Sequence, residues 1–198
     1  MCYHFPGNTI ICHLPRDGQL YKALLSIHAK LQQSRFTEFY TLPPPSSWNR
    51  TVFDGVCNQR RKVGVWPKDL ALDAPLYSCH GLFSEKLCKF DPDIQTPLRM
   101  AVAGIIMSKA GIRLDLAPVD AAEEKRLREP RDRLSELLEI RAKGNESYVF
   151  HLALAYSFGP GYPDIPQEFE LGLPEIFYFD GMFALHRQFH LNENAGVK

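Results

Sequence analysis

Residues 48–53, WNRTVF, and residues 150–156, FHLALAY, are the two stretches that decide the fold and the location of the chemistry. Both are short, apolar and rich in aromatic side chains, which favours strands. Successive side chains of a strand point to opposite faces, so every second residue shares a face. The stretches therefore predict two strands that each present one pair of side chains together: Asn49 with Thr51, and His151 with Ala153.

A strand and a helix precede the first stretch. Residues 8–14 form a run with β-branched side chains that is typical of a strand. Residues 17–34 predict an amphipathic helix, because apolar side chains recur at three- and four-residue spacing: Leu20, Leu24, Ile27 and Leu31. An extended segment over 36–42 and three prolines then lead into a strand over 46–55.

The second half of the chain repeats this alternation. Residues 58–79 predict a charged surface excursion, and residues 77–90 a helix. Residues 98–107 and 112–119 alternate as two strands around a turn. The remaining predicted elements are a helix over 121–142, capped by Asp120, ended by Gly144-Asn145 and kinked or restarted at Pro130, a strand over 146–158, and closing strands over 168–173 and 175–189.

These elements predict an α+β fold in which the two halves mirror each other. We expect one domain over residues 1–198, with lobe-forming halves at roughly 6–57 and 96–158 and closing strands within 168–190. Antiparallel sheets with helices outside them would leave a central cleft between the halves.

Composition limits the function classes. Lys+Arg and Asp+Glu are equal at 23 each, and no basic run alternates with aromatic residues, which disfavours a nucleic-acid partner. We find neither a signal-peptide pattern nor an apolar stretch of about 20 residues, so we expect a cytoplasmic protein without a membrane partner. The five cysteines are scattered, which favours reduced thiols.

The sequence also predicts no metal and no cofactor. His186 and His190 have a helical metal-ligand spacing, but their surroundings are typical of a strand and lack a carboxylate pattern. Dinucleotide and phosphate-cradling glycine motifs are missing. We therefore expect a small-molecule substrate, and the sequence leaves the oligomeric state open.

Four segments together resemble the 2H phosphoesterase superfamily, and more narrowly an uncharacterised branch of it. They are Pro6–Thr9, Pro44–Trp48, Thr51–Val56 and Phe150–Tyr156. The resemblance implies a two-lobed, pseudo-symmetric fold in which each half offers a His-x-Thr or His-x-Ser pair to one central cleft. In working members one histidine removes a proton, the other protonates the leaving oxygen, and the hydroxyls hold the phosphate.

Carried onto this sequence, the first family pair becomes Asn49 and Thr51, and the second becomes His151 and Ala153. Asparagine has no titratable group and cannot replace a proton-transferring histidine. The loss of one general acid or base forfeits about 10²–10⁴ in rate. His151 is thus the predicted catalytic residue, and Asn49, Thr51 and Ala153 are predicted to contact substrate.

Three further side chains are candidates for substrate contact. Tyr156 and Tyr40 lie in predicted strands, where aromatic residues also serve as packing. His13 lies in the first strand, and either it or His4 would supply a second imidazole if it pointed into the cleft. Arg50 alternates away from Asn49, so we expect it in a surface salt bridge.

Three functions fit these residues. The loss of one histidine and of one phosphate-binding hydroxyl favours a repurposed enzyme that acts on a small, largely apolar metabolite by acid/base chemistry, such as epimerisation, isomerisation or rearrangement. The first alternative is a phosphoesterase for cyclic phosphates or RNA ends, with a substituted second catalytic group. The other is a non-catalytic module that binds a ligand in the old cleft.

Overall fold

The computed structural model describes residues 6–94, 96–108, 110–141 and 144–157, and the backbone of two later strands. The described strands are β1 (Gly7–His13), β2 (Tyr40–Thr41), β3 (Asn49–Cys57), β4 (Leu98–Ser108), β5 (Gly111–Pro118), β6 (Phe150–Ser157), β7 (Ile176–Phe179) and β8 (Phe183–Gln188). The described helices are α1 (Gln19–Gln32), α2 (Leu76–Leu87) and α3 (Ala121–Leu138).

The strands form an antiparallel sheet in the order β7-β4-β5-β6-β3-β1-β8, and β2 pairs with β6. One half is β8-β1-β3, and the other is β7-β4-β5-β6. The halves join through the pairing of β3 with β6, where Arg50 lies opposite Leu152. The fold is therefore α+β with an antiparallel sheet, as predicted.

The closing strands differ from the prediction. Within the predicted strand over 175–189 the structure describes two strands, β7 and β8. β7 pairs with β4 and β8 pairs with β1, so they lie at opposite ends of the sheet order. Four residue steps separate Phe179 from Phe183, a chain length that reaches at most about 14 Å. The sheet therefore curls until its two ends approach. The predicted strand over 168–173 lies outside the described residues.

Helix α1 buries the predicted apolar stripe. Leu20, Leu24, Ile27 and Leu31 are all buried. They belong to one core with the apolar side chains of β3 and β6, such as Val52 and Leu152. The three-to-four-residue spacing is thus confirmed as the reason this helix forms and packs on the sheet.

Helix α3 begins as predicted and ends earlier. The Asp120 side chain caps it by accepting a hydrogen bond from the Glu123 backbone N–H at 2.8 Å. The helix continues through Pro130 without restarting, but it ends at Leu138, before the predicted end at 142. Glu139 is in the left-handed region at φ 53° and ends the helix there. Gly144 precedes a short 3₁₀ turn instead.

Two connecting segments are also more ordered than predicted. The segment 36–42 contains a 3₁₀ turn, Arg35–Glu38, and only the two-residue strand β2. The excursion after β3 packs around Trp66, which is 1% exposed and donates a hydrogen bond to the Ala71 carbonyl at 2.9 Å. The Arg61 guanidinium lies 4.3 Å from the Trp66 ring centroid. Part of this charge run therefore packs against the chain.

The segments that resemble the 2H family interlock β1, β3 and α2. The buried Asn8 side chain accepts a hydrogen bond from the Val56 backbone N–H at 3.0 Å and lies 3.0 Å from Nδ1 of His80. A Cβ atom at Gly55 would lie 2.0 Å from the Asn8 side-chain oxygen, so only glycine fits there. Thr9 donates to the Phe53 carbonyl at 3.1 Å. These motif residues hold the first half-sheet in register.

Within the described residues, no helix has the length and apolar character needed to cross a membrane.

Candidate active site

The junction between β3 and β6 separates a buried face from an open one. Arg50 and Leu152 are buried at 1% and 0% exposure. Their neighbours Asn49, Thr51, His151 and Ala153 are half-buried. The alternation predicted for both strands is therefore confirmed, and the four motif residues lie on the face opposite Arg50.

The register of the junction brings the two pairs side by side. Because the strands are antiparallel and Arg50 lies opposite Leu152, the neighbouring positions are Thr51 with His151 and Asn49 with Ala153. The hydroxyl of Thr51 and the imidazole of His151 thus belong to one patch.

A second imidazole lies on the same face. His13 pairs with Asn49 in the ladder between β1 and β3, and residues directly opposite each other point to the same side of a sheet. His13 is exposed at the end of β1. The structure therefore flanks the Asn49 position with a histidine from the adjacent strand. His4 lies outside the described residues.

The other side of the patch is charged. Asp115 of β5 pairs with His151, and Arg113 pairs with Ala153. The two form an ion pair, with Nε of Arg113 2.7 Å from Oδ1 of Asp115. The Arg113 side chain remains 42% exposed. A guanidinium with its own carboxylate thus borders the position where the family pattern has a hydroxyl.

Hydrogen bonds orient the His151 ring and the Asn49 amide. Nδ1 of His151 lies 3.0 Å from the Val149 carbonyl oxygen. A carbonyl only accepts, so Nδ1 carries the hydrogen and Nε2 of the neutral ring is the basic nitrogen. The Asn49 amide donates to the Ser47 carbonyl at 2.8 Å. His151 is thus prepared to take a proton, and Asn49 can only donate or accept hydrogen bonds.

Tyr148 is a site residue that the sequence reasoning missed. Its ring centroid lies 5.9 Å from that of His151. Burial raises the pKa of its phenol to about 12, and the Thr51 side chain beside it acts against this rise. Tyr148 precedes β6, so strand alternation carries no signal for its position. Tyr148 thus lies beside His151 through its ring and beside Thr51 through its phenol group.

Buried arginines support this tyrosine from the core side. The Arg131 guanidinium of α3 lies 3.8 Å from the Tyr148 ring centroid and donates to Asn145 at 2.9 Å and to the Val52 carbonyl. Its burial lowers its pKa. These contacts hold the ring where β3 and β6 separate.

The predicted surface salt bridge of Arg50 is wrong. Its guanidinium lies in the core, 5.6 Å from the Phe150 ring centroid and close to the Cys12 thiol. Burial lowers its pKa, and Cys12 and Tyr148 act in the opposite direction. The residue alternates away from Asn49 as expected, but that side of the sheet is covered.

Both candidate tyrosines lie away from the patch. Tyr40 is 1% exposed and packs on Phe36 with ring centroids 5.9 Å apart, so it belongs to the core. Tyr156 is 42% exposed. It is five residues from His151, or roughly 17 Å along the strand. Neither side chain joins His151 and Thr51, because β6 carries Tyr156 past the junction and β2 turns Tyr40 inward.

Among the residues that the structure describes, no group of three or more His, Cys, Asp or Glu side chains could hold a metal ion. His186 lies in strand β8 and so is not on a helix, and His190 lies outside the described residues. The chemistry available in the patch is that of imidazole, hydroxyl, amide, carboxylate and guanidinium groups.

An α+β fold with an antiparallel sheet and a pair of motif strands meeting at one open face defines the 2H phosphoesterase-like class. A family described as "2H-phosphodiest: Domain of unknown function (DUF1868)" matches residues 1–111, which is more than half of the chain. The chain belongs to this family.

Solved structures extend the comparison. The conserved protein of unknown function ATU0111 from Agrobacterium tumefaciens str. C58 matches with a TM-score of 0.70 at 26% identity, over 81% of this chain and 67% of that one. TT0787 of Thermus thermophilus gives 0.44 at 14% identity, over 90% and 82%. E. coli LigT in apo form gives 0.47 at 9%, over 95% and 97%. No curated protein matches the sequence.

Proposed function

We propose that this protein is an acid/base enzyme that hydrolyses a small phosphoester, with His151 and His13 as its two proton-transferring groups. The observation that carries the proposal is the pairing of His13 with Asn49 on the open face. The sequence favours a non-phosphate reaction because the cleft departs from the family pattern at two positions, Asn49 and Ala153. A second imidazole beside Asn49 answers the first departure and leaves the second in place.

The roles follow from the hydrogen bonds. Nδ1 of His151 donates to Val149, so Nε2 removes a proton from the water that attacks phosphorus. The bond from phosphorus to the leaving oxygen breaks, and His13 as imidazolium protonates that oxygen. Thr51 donates to a non-bridging phosphate oxygen, and Asn49 orients the group. Histidine suits both roles because its ordinary pKa is about 6.5.

The test is turnover of a 2′,3′-cyclic nucleotide. We expect hydrolysis that falls by about 10²–10⁴ in His151→Ala and depends on His13 as well. Tyr77→Ala is the matched control, because Tyr77 is 74% exposed on α2 and contributes to neither motif strand. No turnover at high enzyme concentration would overturn the phosphoesterase proposal. Saturable binding without turnover would favour the binding module.

A second candidate is the acid/base rearrangement of a small, largely apolar metabolite. It is favoured by Ala153, which has a methyl group where the family pattern has a hydroxyl, and by Arg113, whose charge is already paired with Asp115. Both features weaken a phosphate site. The test is exchange of a carbon-bound hydrogen with D₂O, followed by NMR over a panel of apolar carbonyl compounds. Exchange that requires His151 but not His13 would support this candidate.

A further inference from the structure

A small cavity lies against His13, at the end of β1. Its volume is ≈ 270 Å³, and its lining residues are His13, Leu14, Pro15, Arg16, Tyr21 and Ser46. His13 thus belongs both to the open face, through its pairing with Asn49, and to this cavity. A molecule that reacts at His13 has the cavity beside it.

One wall of the cavity is a supported aromatic ring. The half-buried Tyr21 ring meets Trp48 edge to face, with centroids 5.2 Å apart. Trp48 is 3% exposed and has His28 as a further edge-to-face neighbour at 5.7 Å. Because Trp48 is fixed in the core, Tyr21 presents a rigid apolar surface, and aromatic pairs of this geometry attract each other beyond simple burial.

The rim of the cavity is polar. Arg16 and Ser46 are both exposed, so a guanidinium and a hydroxyl are available to a ligand. Guanidinium groups stack on aromatic rings and donate to oxygen or nitrogen acceptors. Pockets for drug-sized ligands have volumes of roughly 300–1,000 Å³. This cavity, at ≈ 270 Å³, lies just below that range and therefore suits one ring rather than a larger group.

We propose that this cavity is a specificity subsite that binds an aromatic or heteroaromatic ring carrying a hydrogen-bond acceptor, attached to the phosphate that His13 and His151 process. The substrate class is then a phosphoester of a small ring-bearing alcohol. This inference rests on the proposed function, since His13 connects the cavity with the reacting group. The ring packs on Tyr21, and its acceptor meets Arg16 or Ser46.

The experiment compares the binding of phenyl phosphate and methyl phosphate to the full chain by calorimetry. The two probes share the phosphate and differ in the ring. We expect phenyl phosphate to bind about tenfold more tightly, as one aromatic contact provides. Tyr21→Ala should reduce the ratio to about one.

Tyr21→Leu is the second variant, because it keeps apolar packing on Trp48 but removes the aromatic ring, and Tyr77→Ala is the control. Equal affinity of the two probes for the wild-type protein, or a ratio that survives in a folded Tyr21→Leu variant, would overturn the subsite. A ring preference lost in Tyr21→Leu, without turnover of any cyclic phosphate, would support the subsite and refute the proposed reaction. Turnover of a cyclic phosphate without a ring preference would support the proposed reaction and refute the subsite.

Discussion

Strands β3 and β6 meet at a single cross-strand pair but carry complementary halves of one chemistry. β3 presents a hydroxyl at Thr51 and an amide at Asn49, whereas β6 presents an imidazole at His151 and a methyl group at Ala153. The strands on either side differ in what they place beside the two positions that depart from the family pattern, Asn49 and Ala153. His13 of β1 lies opposite Asn49 and supplies an imidazole. The partner of Ala153 is an arginine that is already neutralised.

In the proposed mechanism, His13 supplies on the β3 side the imidazole that position 49 lacks. The β6 side has a charged pair instead of a hydroxyl. We therefore expect the site to have both groups needed for proton transfer but to lack one of the hydroxyls that would bind the phosphate.

The largest effect is expected for His151→Ala. This change removes the imidazole whose Nε2 is oriented by Val149, so kcat/KM for a 2′,3′-cyclic nucleotide should fall by about 10²–10⁴. Steady-state kinetics measure it, with thermal unfolding to show that the variant is folded. A value within threefold of wild type would mean that β6 contributes no acid or base.

His13→Ala should lower kcat/KM by roughly 10², the lower end of the range for a general acid. His13 is exposed, so water can protonate part of the leaving group in its place. The fall should appear mainly in kcat, because Thr51 and Asn49 still bind the phosphate. If only KM rose, His13 would be a binding residue and would not supply the proton-transferring group that position 49 lacks.

Tyr148→Phe tests the side chain that fills the gap between β3 and β6. Burial raises the pKa of the Tyr148 phenol to about 12. A raised pKa stabilises the folded protein below the ordinary value of about 10, and this stabilisation is lost as the pH rises from 10 through 12. The loss approaches roughly 3 kcal/mol once the phenol is ionised in both states.

Tyr148→Phe should therefore be less sensitive than wild type when denaturant unfolding is measured at pH 9 and again above pH 11. Tyr77→Phe, at an exposed tyrosine, is the control and should behave like wild type. If the free energy of unfolding of Tyr148→Phe fell as much as that of the wild type at alkaline pH, the phenol would not be buried at the junction.

The smallest effect is expected for Ala153→Thr, which adds the hydroxyl that β6 lacks. KM for the cyclic phosphate should fall by up to about tenfold, as one more hydrogen bond to a charged group allows. Ala153→Val has the same shape without the hydroxyl and should not lower KM. Equal effects of the two substitutions would mean that position 153 does not face the phosphate.

Much of the fold could be predicted from local patterns. The stripe of α1, the Asp120 cap and the alternation of β3 and β6 depend on spacing along the chain, which the sequence displays directly. The end of α3 could not be predicted in this way. The helix ends at Glu139, which has a positive φ although glutamate rarely adopts one, and so it stops before the glycine at which a helix normally ends.

Sequence patterns could predict the site only where a side chain's position follows from alternation within one strand. The pairing of His13 with Asn49 depends on two register shifts, one between Gly7 and Thr9 and one between Ile10 and Ile11. A shift of one residue turns every later side chain to the other face, and nothing local to β1 specifies it. The core position of Arg50 likewise involves Phe150, which lies far along the chain, and the approach of Tyr148 involves Arg131 of α3.

The most direct test of the proposed role of His13 is to restore a histidine at position 49 of β3 in a variant that lacks His13. His13→Ala should be compared with the double variant His13→Ala/Asn49→His for kcat/KM on a 2′,3′-cyclic nucleotide. If His13 does the work of the histidine that position 49 lacks, the double variant should regain at least tenfold of the roughly 10²-fold loss. A full-activity His13→Ala variant, or a deficient one that Asn49→His leaves unchanged, would contradict the claim that β1 compensates β3.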